Sequence, residues 1–227
     1  MAHEADHPQL SVGILIFDDV EVLDFCGPLE VLSVCRGNVK AGGGKADKSP
    51  FRVQLIAATK DPVTTAAGMQ VLPQATLDEI CGATEALDIL ILPGGVGTRK
   101  ERTNQTIMAF IRDQVKKVQI VASVCTGSIL LAESDILESG SRITTHWQFI
   151  DTLQEWYPQL KVEQEHSVIR LEKTTSRPLI YTSAGISAGI DMSFWLIKDL
   201  YGDAVARATA KHMEYAYPES FARRIDL

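Results

Sequence analysis

Gln119-Ile-Val-Ala-Ser-Val124 is apolar at almost every position, and it runs without a break into Cys125-Thr126-Gly127 and then into a helical stretch, 128–132. A strand with one wet face alternates apolar and polar residues; one that does not alternate must be covered on both faces. Such strands belong to parallel sheets, whose crossover helices lie on both sides. The same signature recurs at 11–17 and 87–92, and more weakly at 51–57. Between the first two strands, Leu23, Leu29, Val31, Leu32 and Val34 recur at helical spacing. Gly27-Pro28 interrupts that pattern, and because proline suits a first helical turn, the regular helix is predicted to begin there. Residues 37–50, with Gly42-Gly43-Gly44, read as an exposed loop, and 63–65 with 69–72 as a small hairpin. An amphipathic helix is predicted over 104–117, with Ile107, Phe110, Ile111 and Val115 on one face. Further on, 142–145, 167–171 and 179–182 read as strands, and 147–156, 187–200 and 203–213 as helices.

Alternating strands and helices predict an α/β fold of the flavodoxin-like kind: a mostly parallel central sheet sandwiched by helices, with a nucleophile elbow after the fourth strand. One domain is expected over 11–218, with a flexible polar lead at 1–10 and a C-terminal tail at 219–227. With 45% hydrophobic residues in 227, the chain can bury a full core. Its formal net charge of −7 argues against a nucleic-acid-binding surface, which needs clustered cations. Lys116-Lys117 and Arg223-Arg224 are too short to supply one. No apolar run is long enough to span a bilayer, and the polar start (His3, Glu4, Asp6, His7) is neither a signal nor a transit peptide. A cytoplasmic, reducing setting is expected. Cys26, Cys35, Cys81 and Cys125 form no CxxC pair and no cluster with histidine, so neither disulfides nor a metal site is expected.

Five stretches could carry chemistry. The strand–Cys125–helix junction would raise the sulfur above the C-terminal edge of the sheet, at a helix N-terminus that favours a thiolate. The bland reading is a buried cysteine acting as a small hydrophobe. Pro93-Gly94-Gly95 ends the neighbouring strand and offers bare backbone N–H groups to developing negative charge, unless it is simply a turn. Asp24, in Val22-Leu-Asp-Phe-Cys-Gly-Pro28, follows the first strand; it is either a proton shuttle in an apolar setting or a cap for the helix at Pro28. His146, in Thr144-Thr-His-Trp147, is either a base for the cysteine or a packed side chain. Thr182-Ser-Ala-Gly-Ile-Ser-Ala-Gly-Ile-Asp191 lacks the lysine and spacing of a phosphate loop; close helix packing explains it better, with Asp191 structural.

Taken in this order, FDDVEVLDFCGPLEVL (17–32), LDILILPGGVGT (87–98), VASVCTGSILLAESDIL (121–137), ITTHW (143–147), TSAGISAGIDMS (182–193) and EYAYP (214–218) resemble the PfpI-like superfamily, relatives of class I glutamine amidotransferases. Asp24 with Cys125-Thr126 is most similar to its isonitrile hydratase branch. The resemblance implies Cys125 as nucleophile, Asp24 as the acid or base beside it, and Thr126 as an orienting group. It further implies an oxyanion-type N–H from Gly95 next to Gly94, with His146 and Ile186 bordering the substrate. It implies a small-molecule substrate, no cofactor and a homodimer. PfpI-like peptidases and many glyoxalase-type relatives carry a histidine directly after the cysteine, where this chain has Thr126. Cys26 stands where a small or hydroxyl residue is expected. Sensor domains of AraC-type regulators share several of these motifs and carry a helix-turn-helix region, which is not legible in this chain. Three functions stay open: isonitrile hydration, another cysteine enzyme such as a glyoxalase or small-molecule hydrolase, and a ligand or redox sensor.

Overall fold

In the computed structural model, residues 9–36 and 48–222 are described. The predicted loop at 37–50 (except 48–50), most of the N-terminal lead and Arg223-Arg224 lie outside them. β1 (Leu10–Leu15) leads into α1 (Val22–Ser33) and β2 (Phe51–Ala57). The hairpin strands β3 (Val63–Thr64) and β4 (Gln70–Val71) follow, then β5 (Ala75–Thr76) and α2 (Leu77–Gly82). Next come β6 (Ile89–Leu92), α3 (Thr98–Glu101), α4 (Gln105–Gln114), β7 (Ile120–Val124) and α5 (Gly127–Ala132). The chain continues with β8 (Arg142–Ile143), a 3-10 turn at Trp147–Phe149, α6 (Ile150–Trp156) and β9 (Lys161–Val162). It closes with β10 (Val168–Leu171), β11 (Leu179–Ser183), α7 (Ala188–Tyr201) and α8 (Asp203–His212).

Seven strands form the main sheet in the order β10-β11-β7-β6-β1-β2-β5. All its pairings are parallel except β10 with β11. Every residue of β6 and β7 is buried, as their almost wholly apolar character requires. From β1 the chain adds β2 on one side, whereas from β6 it adds β7 on the other. Right-handed crossovers therefore place α1 and the α3–α4 segment on opposite faces. α1 packs on α7 and α7 on α8; α4 touches α2 and α5, and α5 touches α3. The strand order reverses between β1 and β6, which opens a crevice beyond their carboxyl ends, where open α/β sheets bind ligands. A smaller apolar cluster of Ile129, Ile143, Phe149, Leu153, Tyr157 and Leu160 packs α5 and α6 together beside it.

Three boundaries differ from the sequence reading. α1 begins at Val22, not at Pro28, which sits inside the helix. Proline has no N–H to return to the preceding turn, a loss the helix tolerates because its buried face is fixed by packing. Gly27 is part of that packing: a Cβ there would lie 3.0 Å from Ile190 Cγ1 on α7. The lead is shorter than expected, since Leu10 already pairs with Phe51 in the sheet. At the other end, Phe221 is docked: its carbonyl accepts the Ser167 N–H at 2.8 Å, and its ring lies 4.5 Å from that of Trp195. The short elements β5, α2, α3 and β9 escape periodicity because each is shorter than two helical turns or three strand residues. No helix among the described residues is long and apolar enough to cross a membrane.

Candidate active site

Cys125 stands between β7 and α5 with φ of 57°, the left-handed conformation of a nucleophile elbow. Such a conformation is strained for a side-chain-bearing residue, so its surroundings must hold it. They do so from three elements. The Cys125 N–H donates to the carbonyls of Ser183 (3.1 Å) and Ala184 (3.2 Å) at the end of β11. The Thr145 hydroxyl donates to the Cys125 carbonyl at 3.1 Å and accepts from Ser128 Oγ at 2.9 Å. Gly127 lets α5 start hard against the end of β6, where a Cβ would overlap the Leu92 carbonyl.

Asp24 comes from the first turn of α1 and is fully buried. It does not cap a helix at Pro28: Oδ2 instead accepts the Gly94 N–H at 3.0 Å, across the switch point. Oδ1 is buried with no hydrogen-bond partner. Burial pushes the carboxyl up to about 7, against the Gly94 N–H, which favours the charged form; the negative charge of Glu21 adds to the rise. The Cys125 thiol, 6% exposed, is the neighbouring side chain. Its own titration is pushed well above the usual thiol range, by burial first and by the Asp24 charge second. The Thr126 N–H and hydroxyl pull the other way without prevailing. The expected thiolate is therefore a thiol at neutral pH, because desolvation outweighs the end of a helix only six residues long.

The oxyanion expectation changes as well. The Gly94 N–H is spent on Asp24, and the Gly95 N–H donates to Thr126 Oγ1 at 3.0 Å. The Thr126 hydroxyl in turn donates to the Gly95 carbonyl at 3.2 Å. Neither glycine can receive a developing anion without giving up its present partner. The Thr126 N–H faces the sulfur. Gly94 must stay bare, since a Cβ would lie 2.6 Å from Thr126 N and 2.8 Å from Asp24 Oδ2.

His146 is half-buried, and its Nδ1 accepts the Gln148 N–H at 3.3 Å, capping the 3-10 turn. The ring turns its carbon Cδ2 toward Gly185. Gly185 separates this ring from Cys125: a Cβ there would overlap His146 Cδ2 and lie 3.2 Å from Cys125 Sγ. Ile186 follows on the same loop and is 38% exposed. Asp191 accepts from the Tyr215 hydroxyl at 2.9 Å, the structural role expected of it. Thr145 and Gly185 lie in stretches singled out from the sequence but without a role there, and Arg99 falls just past one; such a residue sends no signal of its role until the fold places it. Among the described residues, no group of three or more His, Cys, Asp or Glu side chains could hold a metal ion. A cavity of about 240 Å³ beside Phe17, Asp18, Asp61 and Glu101 contains none of these groups and none of the unpaired buried atoms, so no chemistry is assigned to it.

An elbow cysteine facing a buried carboxylate at a switch point describes a site, and sequence similarity extends it to the chain. Residues 10–199 match the DJ-1/PfpI family model. The chain belongs to the DJ-1/PfpI family. Among relatives of this DJ-1/PfpI chain, the isonitrile hydratase of Pseudomonas putida is 32% identical over 208 residues, covering 91% of this chain and 79% of the relative. An HTH-type transcriptional regulator, GbdR of Pseudomonas aeruginosa, is 25% identical over 92% of this chain, which spans only 51% of that protein. A THiJ/PfpI family protein from Pseudomonas syringae has the same fold, with a TM-score of 0.74 at 23% identity, over 97% of this chain and 83% of that one.

Gly185→Ala tests the spacing in this DJ-1/PfpI site. The added methyl displaces the His146 ring and crowds the sulfur, while most of the core is untouched. Alkylation of Cys125 by a neutral reagent is expected to slow about tenfold, with a stability loss near 1 kcal/mol. Unchanged Cys125 reactivity in this variant would show that the gap beside Gly185 is not the approach to the sulfur.

Proposed function

We propose that the chain hydrates isonitriles to N-substituted formamides, with Cys125 as nucleophile and Asp24 as proton carrier. The observation that carries this reading is a buried thiol beside a buried carboxyl pushed up to about 7. An isonitrile carbon needs a soft nucleophile and a proton delivered to the same atom. A protonated thiol next to an ionised carboxylate supplies both with one proton. Similarity to an isonitrile hydratase over 91% of the chain supports the same reading.

In the first step, the Asp24 carboxylate takes the thiol proton as sulfur bonds to the terminal carbon. It then passes that proton to the carbon, and the carbon–nitrogen triple bond becomes the double bond of a thioimidate. In the second step, water adds to the carbon while Asp24 relays one of its protons to nitrogen. The carbon–sulfur bond then breaks, the hydroxyl proton returns to sulfur, and the formamide leaves. Water is the only co-reactant. Thr126 N–H lies where the sulfur carries most charge.

A redox sensor would need an oxidisable thiolate, and burial holds Cys125 in the less reactive protonated form. Purified protein mixed with an aromatic isonitrile is expected to release the formamide, and Cys125→Ser to reduce release to the uncatalysed rate. Methylglyoxal turnover without isonitrile turnover would move the assignment to a glyoxalase. Peroxide oxidation of Cys125 without turnover of either compound would move it to a sensor.

A further inference from the structure

Beside the thiol lies a cation that the hydration steps do not use. Arg99 is in the first turn of α3, and its guanidinium carbon sits 4.7 Å from the centroid of the Phe149 ring. Nη1 donates to the Gly95 carbonyl at 2.8 Å and reaches Thr98 Oγ1 (3.3 Å) and Thr126 Oγ1 (3.5 Å). Of the three residues it touches through hydrogen bonds, Thr126 directly follows the nucleophile and Gly95 is hydrogen-bonded to Thr126. Its charge and that of a Cys125 thiolate attract each other.

Arg99 has no carboxylate partner among the described residues, and only Nη1 is engaged. Arg102, one turn further on, shows what a neutralised arginine looks like here: Nε and Nη2 both donate to Glu133, at 3.0 and 2.6 Å. A guanidinium carries five donors in a planar fork that matches a carboxylate. Arg99 therefore keeps most of that fork unspent, fixed in place by Phe149 and the Gly95 carbonyl. The other polar groups near the sulfur are committed to one another: Gly94 to Asp24, and Gly95 to Thr126. His146 lies across Gly185 from the sulfur, and the Thr126 N–H faces the sulfur itself. Val96 (66% exposed), Trp147 (48%) and Ile186 (38%) directly follow Gly95, His146 and Gly185 in the chain.

Resting on the hydratase reading, we propose that the substrate is an isonitrile carrying a carboxylate, or an equivalent anion, close to the reacting carbon, and that Arg99 selects it. The free edge of the guanidinium receives the anion. A charge-assisted hydrogen bond of this kind gives about tenfold or greater discrimination over a neutral analogue.

Two measurements test this, and only one of them depends on turnover. The first compares kcat/KM for isocyanoacetate with that for its methyl ester. The wild type is expected to prefer the carboxylate about tenfold or more. The preference should fall to about one in Arg99→Met, mainly through KM, and survive in part in Arg99→Lys. The second compares alkylation of Cys125 by iodoacetate and by iodoacetamide, read by peptide mass spectrometry. The exposed Cys81 of the same molecules serves as reference. The iodoacetate-to-iodoacetamide rate ratio at Cys125 should exceed that at Cys81 about tenfold and drop to it in Arg99→Met. If the alkylation ratio behaves so while no isonitrile is turned over, the hydratase reading fails and the anion site stands. If the ratios at Cys125 and Cys81 agree, or Arg99→Met leaves both preferences unchanged, Arg99 selects nothing.

Discussion

On the proposed hydratase reading, Asp24→Asn is expected to slow isonitrile hydration by about 10²–10⁴, the usual worth of a positioned proton carrier. It should cost nothing further in a protein already carrying Cys125→Ser, because groups that act as a unit fail together. The same substitution should also change stability, in a direction set by pH. In the unfolded chain this carboxyl ionises near 3.8; in the fold it holds its proton up to about 7. The folded state is thus penalised once the carboxyl ionises: not at all below about pH 4, increasingly up to about 7, and fully above that. A shift of this size corresponds to roughly 4 kcal/mol at most. Asn removes the penalty, but it buries an amide with an unsatisfied donor beside the orphan Oδ1 position. That cost, about 1–3 kcal/mol, does not vary with pH. The stability of Asp24→Asn relative to the wild type should therefore rise between about pH 4 and 7 and then level off. Denaturant unfolding at a series of pH values checks it; a flat difference would mean that Asp24 is not held protonated by burial. Activity follows the same group with the opposite preference: kcat/KM should rise through pH 7 as the pair adopts its thiol–carboxylate form.

Gly127→Ala is expected to be strongly damaging, because it strikes the backbone beneath the elbow. Its Cβ would overlap the Leu92 carbonyl oxygen and lie 2.8 Å from the carbon of that carbonyl, and neither can rotate away as a side chain could. α5 must then move off the end of β6, which also parts Thr126 from Gly95. A loss of about 3 kcal/mol or more is expected, equivalent to roughly 6–12 °C in Tm for a chain of this size. Gly82→Ala is the control: nothing lies within 4 Å of a Cβ there, and its effect should stay within about 0.5 kcal/mol. Equal Tm values for the two variants would mean that the elbow has slack that its packing does not show.

How much of this was legible in the sequence depends on how far apart the interacting groups lie along the chain. Mostly apolar runs at 87–92 and 119–124 announced strands buried on both faces, and every residue of β6 and β7 is buried. A strand running into Cys125 and then a helix announced the elbow, and the left-handed φ of Cys125 follows from it. Asp24 after β1, Gly94-Gly95 after β6 and Cys125 after β7 had to meet once the sheet was parallel, because such strands all end on one edge. Each of these inferences uses only the local pattern and the geometry of a parallel sheet. The start of α1 was misplaced because Pro28 is a local stop signal, and packing of Gly27 against Ile190 of α7 overrode it.

The states of the groups were another matter, since they are set by partners distant in sequence. Asp24 meets the Gly94 N–H across 70 residues, and Gly95 meets Thr126 across 31, which took up the N–H groups expected to await an anion. Arg99 gains its importance from Phe149 and Thr126, and Gly185 from His146 and Cys125. The sequence by itself determined which chemical groups reach the sheet edge, because strand order and apolar period are local properties of the chain. Tertiary structure alone decided that Cys125 rests as a thiol, that Asp24 titrates near 7 and that Arg99 keeps an open fork, because desolvation and hydrogen-bond partnership exist only after distant segments pack.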